Sequence, residues 1–535
     1  MSRVVVIGGG VSGLATAGLL ARDGHEVHLL EQGADLGGRA GLWERDGFRF
    51  DTGPSWWLMP EVFDHFFAMM GTTTAEQLEL VTLDPGYRVW SEGLATLDVV
   101  ADEAGNRAAF EAIEPGAGAA LGDYLTSARE VYDLATQQFL YTSFDSAAAY
   151  VGRRVLRNGP RLAGLLSRSL ESFVASRFRD RRLRQVLGYP AVFLGSSPDR
   201  APAMYHLMSH LDLADGVRYP LGGFRVLVDA MAGLARDAGA VVGTGCTVTA
   251  IETETAPRAG GRVALRRHRP ARVTGVTYRD ADGLHTVDAD VVVGAADLHH
   301  VETRLLPADL QTYPETWWDR AVSGPGAVLV NLGIRGEVPQ LAHHSLFFTA
   351  DWRTNFDAIF ATPTRVPDPA SIYVCRPSAT DPSVAPAGDD NLFVLVPVPP
   401  DPTIGRGGVG GAGDPVVEEV ADRAIAMVAA WAGVPDLAER VVVRRTVGPG
   451  DFEADLNSWS GGALGPAHVL KQSAFFRAGN ASRKVEGLYY AGYGTVPGIG
   501  LPMCLISAEL VLKRLRGDRS VGPSTEPVAA PSTRV

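Results

Sequence analysis

Cysteine is scarce in this 535-residue sequence: Cys246, Cys375 and Cys504 are the only three, far apart and without a C-x-x-C pair. That spacing argues against a disulfide framework, a zinc site or a redox dithiol, and it fits a reducing cytosol. Positive charge is in deficit as well, with 49 Lys and Arg against 61 Asp and Glu and a net charge of -12. A surface that grips phosphate broadly needs the opposite sign, so nucleic acid is not an expected partner. Met1-Ser2-Arg3 leads straight into Val4-Val5-Val6-Ile7, without the basic leader and long apolar run of an export signal, so a cytoplasmic chain is expected. An unbroken membrane span is also missing. Leu488 to Ser507 carries no charge, but Gly492, Gly494, Pro497, Gly498, Gly500 and Pro502 would break a helix exposed to lipid. Neither a G-x-S-x-G elbow nor an H-E-x-x-H helix occurs, which counts against hydrolase and zinc-protease chemistry.

At 46% hydrophobic and 21% charged, the chain is apolar enough to fold and long enough for two to four domains. Its most legible part is the first thirty-one residues. Val4 to Ile7 reads as a strand, Gly8-Gly9-Gly10-Val11-Ser12-Gly13 as a turn, Leu14 to Arg22 as a helix, and Glu26 to Leu30 as a second strand ending at Glu31. In such a βαβ unit Gly8 allows the tight turn, Gly10 lets backbone approach a pyrophosphate, and Gly13 lets the helix pack on the strand. Glu31 stands where a carboxylate accepts hydrogen bonds from a ribose diol.

A second turn, Asp35-Leu36-Gly37-Gly38-Arg39-Ala40, follows directly, and Asp51-Thr52-Gly53-Pro54 closes the next segment. A transient nicotinamide cofactor does not need this extra turn, whereas a permanently bound FAD must be covered beyond its first phosphate. Arg39 then suits a phosphate or the ring edge; the alternative is a surface turn with an exposed arginine.

These segments resemble the bacterial carotenoid (phytoene) desaturases of the flavin amine-oxidase superfamily. Further matching motifs are Tyr219-Pro220-x-Gly222-Gly223, Val291-Val292-Val293 leading to Ala296-Asp297, Gln472-Ser473-Ala474-Phe475-Phe476-Arg477, and Gly492-x-Gly494-Thr495-x-Pro497-Gly498-x-Gly500-x-Pro502. The likeness leaves out the tail and the basic insertion Arg262 to Arg272, and Val496-Pro497 replaces the His-Pro of many desaturases. The resemblance implies an enzyme that inserts double bonds into a long apolar isoprenoid, phytoene foremost, by passing hydride to FAD, which quinone or oxygen then reoxidises. It implies cofactor contacts from Gly8, Gly10, Gly13, Glu31, Gly38, Arg39, Gly53, Pro54, Val248, Gly492, Gly500, Pro502 and Met503. No catalytic base and no metal site are assigned. The loop before Pro502 can lie flat on a planar ring, and a helix from Pro502 to Arg516 aims its N-terminal amides at whatever sits there.

The implied fold is α/β: a discontinuous Rossmann-type FAD-binding domain over 1–85, 218–300 and 480–517, a helical membrane-associating subdomain over 86–217, a mixed-sheet substrate domain over 301–479, and a disordered tail over 518–535. Within the helical part, Arg153, Arg154, Arg157, Arg161 and Arg168 flank Leu162, Leu165, Leu166, Leu170 and Phe173. That stripe either rests on anionic lipid, making the protein a peripheral membrane protein, or packs inward. Trp56-Trp57 either lines a substrate path or fills the core. His299-His300 and His343-His344 lack metal spacing and are expected at loop or edge positions. Other readings of the same fold are a desaturase or saturase of another isoprenoid, an amine oxidase, and a carrier of prenylated proteins that needs no flavin.

Overall fold

The computed structural model of the chain describes residues 1–144, 153–255 and 271–525, with backbone alone over 153–158. Val4, Val5 and Val6 are at most 1% exposed, as a strand covered on both faces requires. Their strand, Arg3–Ile7, is the centre of a five-stranded parallel sheet. The order is Leu488–Tyr490, Val291–Gly294, Arg3–Ile7, Glu26–Leu30, Val241–Gly243. Strands recruited from such distant stretches make the discontinuous Rossmann-type domain that was expected. The helix Val11–Arg22 crosses between the first two strands and packs against the helices Arg225–Asp237 and Leu501–Arg516. Gly18 faces this packing, where a β-carbon would stand 3.6 Å from Ala235 Cα in the first of those helices and 3.0 Å from the Met70 side chain.

A seven-stranded mixed sheet forms the second layer. Its order is Val441–Val447, Gly326–Ile334, Asp390–Val398, Ile372–Cys375, His344–Phe348, Tyr87–Ser91, Leu97–Val99, and only His344–Phe348 beside Tyr87–Ser91 runs parallel. The helix Pro415–Ala432 covers one face through Val417, Val420 and Ala424. The last two strands lie inside the 86–217 segment assigned to helices, but they join the substrate sheet. Tyr87, Val89 and Ser91 alternate buried with half-buried neighbours, the period-2 pattern of a strand with one core face. Among the described residues the rest of that segment is mainly helical, around a core that includes Phe110, Tyr124, Phe178 and Leu183.

Several expectations need correction. His343 lies in the bend before a strand, a loop position as expected, although it is only 4% exposed; His344, 0% exposed, opens an internal strand of the mixed sheet and is at neither a loop nor an edge. His299 and His300 sit in the first turn of the helix Leu298–Arg304, where the Asp297 side chain accepts from both their amides. Residues 518–525, expected to be disordered, are tied to the last helix: Lys513 Nζ donates to the Ser520 and Gly522 carbonyls at 2.9 and 2.8 Å, and Ser524 N donates to Glu509 at 2.7 Å. Residues 526–535 and most of the Arg262 to Arg272 insertion lie outside the described residues. Among the described residues no helix is long and apolar enough to cross a membrane.

Candidate active site

Gly8 takes φ +103°, which opens the turn, and a β-carbon on Gly13 would lie 1.9 Å from the Gly8 carbonyl oxygen. The third glycine is therefore required by helix-on-strand contact. Gly10 differs: its backbone is extended (φ -72°, ψ 177°), and the nearest atom to a β-carbon there would be 3.8 Å away. Space is left open at Gly10 for something other than protein. Glu31 anchors the turn, since its Oε2 accepts from Gly9 N at 2.6 Å and its Oε1 from Gly33 N at 2.7 Å. The carboxylate expected to accept from a ribose diol thus already holds two amides; it also lines the cavity, and a carboxylate has lone pairs for further bonds.

The second turn folds back on the first. Gly37 N donates to the Gly9 carbonyl at 2.9 Å, and Gly38 takes φ +58°. Arg39 is not an exposed surface residue: Nε donates to the Ala463 carbonyl at 3.0 Å, Nη2 to Ser458 Oγ at 2.8 Å, and the guanidinium lies 4.1 Å over the Tyr493 ring. The Tyr493 hydroxyl in turn donates to Asp297. Gly53 passes so close to Arg39 that a β-carbon would be 2.4 Å from its carbonyl oxygen. Asp51, two residues earlier, accepts from Phe224 N through both oxygens at 3.0 and 2.9 Å and links this turn to Gly222-Gly223. Burial pushes the Asp51 carboxyl up to about 7.

The C-terminal loop is set from behind. Arg477 is buried and donates to the Thr495 and Pro466 carbonyls at 3.0 and 3.1 Å; burial lowers its pKa to about 10. Gly498 presses on His468, whose ring would meet a β-carbon at 2.3 Å. His468 Nε2 accepts from Ile499 N at 3.3 Å, so Nδ1 carries the proton and donates to Tyr205 Oη at 2.9 Å; Tyr205 then donates to Ser473 Oγ at 3.0 Å. Burial holds this imidazole well below its usual pKa, in the neutral form that the network requires.

Two helices end here without a side-chain cap: Val11–Arg22 after Gly10, and Leu501–Arg516 after Gly500. The first N–H groups of a helix have no intrahelical acceptor and carry partial positive charge. Both N-termini open into one cavity of about 1160 Å³. Drug-sized ligands occupy pockets of roughly 300–1,000 Å³, so this cavity has room for a cofactor and a substrate together. A pyrophosphate at the first terminus and an electron-rich ring edge at the second are what these amides suit, and FAD carries both.

Of the expected contacts, Gly8, Gly10, Glu31, Gly38, Arg39 and Gly53 line this cavity, and so do Pro54, Val248, Gly500, Pro502 and Met503. Gly13 and Gly492 do not. Gly13 packs on Gly8, and Gly492 packs on Ser12, whose Oγ would be 2.8 Å from a β-carbon, while its amide donates to Ser507. Tyr493, Asp297, His468 and Tyr205 went unassigned. Tyr493 sits inside the Gly492-x-Gly494 motif and was detectable, whereas nothing around His468 marks it. Away from the glycine turns the cavity becomes apolar, with Trp56, Phe139, Phe144, Leu162, Leu166 and Phe193 in its wall. Trp57 is buried and stacks on Phe63 at 3.9 Å, so the two tryptophans divide between path and core. Among the described lining residues the carboxylates are Glu31, Asp297, Asp451 and Asp455. All four are at the nucleotide end: Asp297 holds Tyr493, and Gln32 joins the Asp455 carbonyl at 2.8 Å.

In the basic helix Arg153–Leu166 and the segment after it, Leu165, Leu170 and Phe173 are buried, while Leu162 and Leu166 face the cavity. Arg161 pairs with Glu130 and Arg168 lies 5.8 Å over Phe173. The side chains of Arg153, Arg154 and Arg157 lie outside the described residues.

Comparison with known proteins agrees with this geometry. The model of the flavin-containing amine oxidoreductases matches residues 11–511. The chain is 39% identical to a carotenoid 3,4-desaturase of Haloarcula japonica, over 96% of this chain and 98% of that protein. It is 33% identical to a zeta-carotene-forming phytoene desaturase of Myxococcus xanthus, over 96% and 93%. A solved structure of putrescine oxidase bound to putrescine superposes with a TM-score of 0.58 at 16% identity, covering 96% of this chain and 99% of that one, which speaks to the fold alone. The chain belongs to the flavin-containing amine oxidoreductase family and is an FAD-dependent oxidoreductase.

Proposed function

We propose that this chain is an FAD-dependent carotenoid desaturase that introduces double bonds into phytoene. The observation that carries this reading is the continuity of one cavity, from two uncapped helix termini into an aromatic and aliphatic channel whose described wall holds no carboxylate. A cationic amine needs a charge partner or a cage at that end, and a polyene needs only shape and dryness. When bound, FAD accepts the hydride that the polyene gives up. An allylic carbon beside existing double bonds loses hydride readily because the positive charge spreads over the conjugated chain, and the neighbouring proton then leaves to a weak base. The protein's part is positioning and exclusion of water. Trp56, stacked on His344 at 4.4 Å and tilted against Phe193 at 5.4 Å, makes a rigid wall for an extended chain. The neutral His468–Tyr205–Ser473 relay keeps the flavin loop in place without adding charge to the channel.

A second reading is favoured by the relative at 39% identity, whose name specifies 3,4-desaturation. On that reading the substrate is already conjugated when it enters. Liposomes carrying either colourless phytoene or a coloured carotenoid, with FAD and with oxygen or a quinone as electron acceptor, separate the two by product mass and absorbance. Conversion of phytoene supports the first reading, conversion of the coloured substrate alone supports the second, and conversion of neither under both acceptors overturns both.

The substrate lives in membrane, and the channel mouth suits a bilayer surface. Phe475 and Phe476 are each 54% exposed, Leu470 is 45% and Leu166 is 36% exposed, and all four line the cavity. Clustered exposed apolar side chains mark interaction surfaces. These exposed side chains support peripheral association with the cytoplasmic leaflet, and Arg161 and Arg168 flank Leu166 in the sequence.

A further inference from the structure

Outside the cavity, three metal-ligating side chains meet under the channel wall. His344 and Cys375 are cross-strand partners in the mixed sheet, and His343 precedes His344. One ring nitrogen from each imidazole and the Cys375 thiol all lie within 4.8 Å of one another. Both rings are held by their Nδ1 atoms, His343 by Thr380 Oγ1 at 2.8 Å and His344 by the Tyr373 hydroxyl at 2.8 Å. Tyr373 is in turn hydrogen-bonded to Ser55 Oγ at 2.7 Å. Among the described residues neither Nε2 atom has a partner, though both are buried. A buried polar atom without a partner costs about 1–3 kcal/mol, and two in one cluster beside a thiol need a common cause. Imidazoles that ligate a metal are usually oriented by a hydrogen bond at the other ring nitrogen, and both of these are.

We propose that His343 Nε2, His344 Nε2 and Cys375 Sγ bind one thiophilic d10 cation, Zn2+ or Cu+. Two imidazoles and one thiolate are a donor set both ions favour. Bond lengths of about 2.0–2.3 Å place ligand atoms about 3.5 Å apart around such an ion, so side-chain rotations of about an ångström close the observed spacing. The charged groups that act on the cluster are Arg376, which pairs with Asp390 at 3.2 Å, and the acids Asp381 and Asp51. The site is closed to solvent, so the ion is acquired during folding. Bound there, it fixes Tyr373 and hence Ser55 and the stacked Trp56, which is how it supports the channel.

The test uses untagged holoprotein expressed with added Zn2+ or Cu+ and purified without chelator. One equivalent of metal per chain is expected, reduced at least tenfold in Cys375→Ser and His343→Gln, with the flavin-to-protein ratio unchanged as the control for folding. The wild-type protein produced with Co2+ reads the ligand set without any substitution, through a thiolate-to-cobalt absorption band that persists in Cys246→Ser and Cys504→Ser. Absence of bound metal after both supplements, full metal content in the two ligand variants, or a cobalt protein lacking the thiolate band each overturns the proposal.

Discussion

Gly10→Val tests the cofactor end most sharply, because the structure separates its effect on folding from its effect on binding. The backbone at Gly10 is extended (φ -72°, ψ 177°), a conformation valine adopts, and a β-carbon there would find its nearest neighbours, Gly37 O and Gly38 Cα, at 3.8 and 4.0 Å. Nothing in the protein is displaced, so stability should change by less than about 1 kcal/mol. The side chain instead enters the cavity beside Val11 and Ser12, whose first-turn amides have no intrahelical acceptor. A hydrogen bond to a charged group contributes about 1.5–3 kcal/mol; pushing a pyrophosphate off two of them costs about 3–6 kcal/mol, or a Kd raised roughly 10²- to 10⁴-fold. Flavin-to-protein ratio after gel filtration, with FAD titrated back into apoprotein, measures this. Circular dichroism and thermal unfolding supply the control. A folded Gly10→Val protein with wild-type flavin content would refute the placement of the pyrophosphate.

Gly13→Ala should do the reverse. Its β-carbon would be 1.9 Å from the Gly8 carbonyl oxygen, so the helix must move off the strand, and destabilisation of about 2 kcal/mol or more is expected in denaturant titration; unchanged stability would contradict the packing role. Asp212 gives a pH-dependent expectation. Its Oδ2 accepts from the Tyr87 and Tyr189 hydroxyls at 2.9 and 2.7 Å, its Oδ1 has no partner among the described residues, and burial raises its pKa from 3.8 to about 7. The folded state thus holds a proton that the unfolded chain releases, so stability is fullest below about pH 4 and falls as pH rises towards 7. At 1.36 kcal/mol per unit this shift amounts to about 4 kcal/mol. Asp212→Asn should flatten the fall of thermal midpoint between pH 4 and 8, and an equally steep fall in the variant would contradict it. At the channel mouth, Phe475 and Phe476 are each 54% exposed, and burying what remains of both in lipid contributes about 2 kcal/mol. Replacing both with serine should weaken sedimentation with anionic liposomes roughly 30-fold; unaltered binding would move the membrane contact elsewhere.

The parts of the molecule that were legible in the sequence are those whose chemistry is local. Val4 to Glu31 compresses strand, turn, helix and strand into one stretch, so the nucleotide end could be read residue by residue. The discontinuity of the flavin domain was legible only through the family likeness, because no periodicity says that Val291–Gly294 and Leu488–Tyr490 flank Arg3–Ile7. Gly13 packs helix on strand as its place in the motif implies, whereas Gly492 illustrates a limit of motif reading: it belongs to a flavin motif, yet it packs on Ser12. His344 was misplaced because strand register, which sets Cys375 opposite it, cannot be read from spacing. Residues 518–525 have a disordered composition and are ordered by three hydrogen bonds to Lys513 and Glu509 on another element, again a contact invisible in the linear chain.

The central claim is that this cavity passes hydride from a polyene to FAD. Single turnover without oxygen or quinone tests it most directly: flavin-loaded protein is mixed with liposomes containing phytoene, and flavin and polyene absorbance are followed together. Loss of oxidised-flavin absorbance matched by the appearance of a more conjugated product, one double bond per flavin, is the expected result. Flavin that stays oxidised with phytoene and with a coloured carotenoid, yet is reduced by a simple amine, would contradict the account.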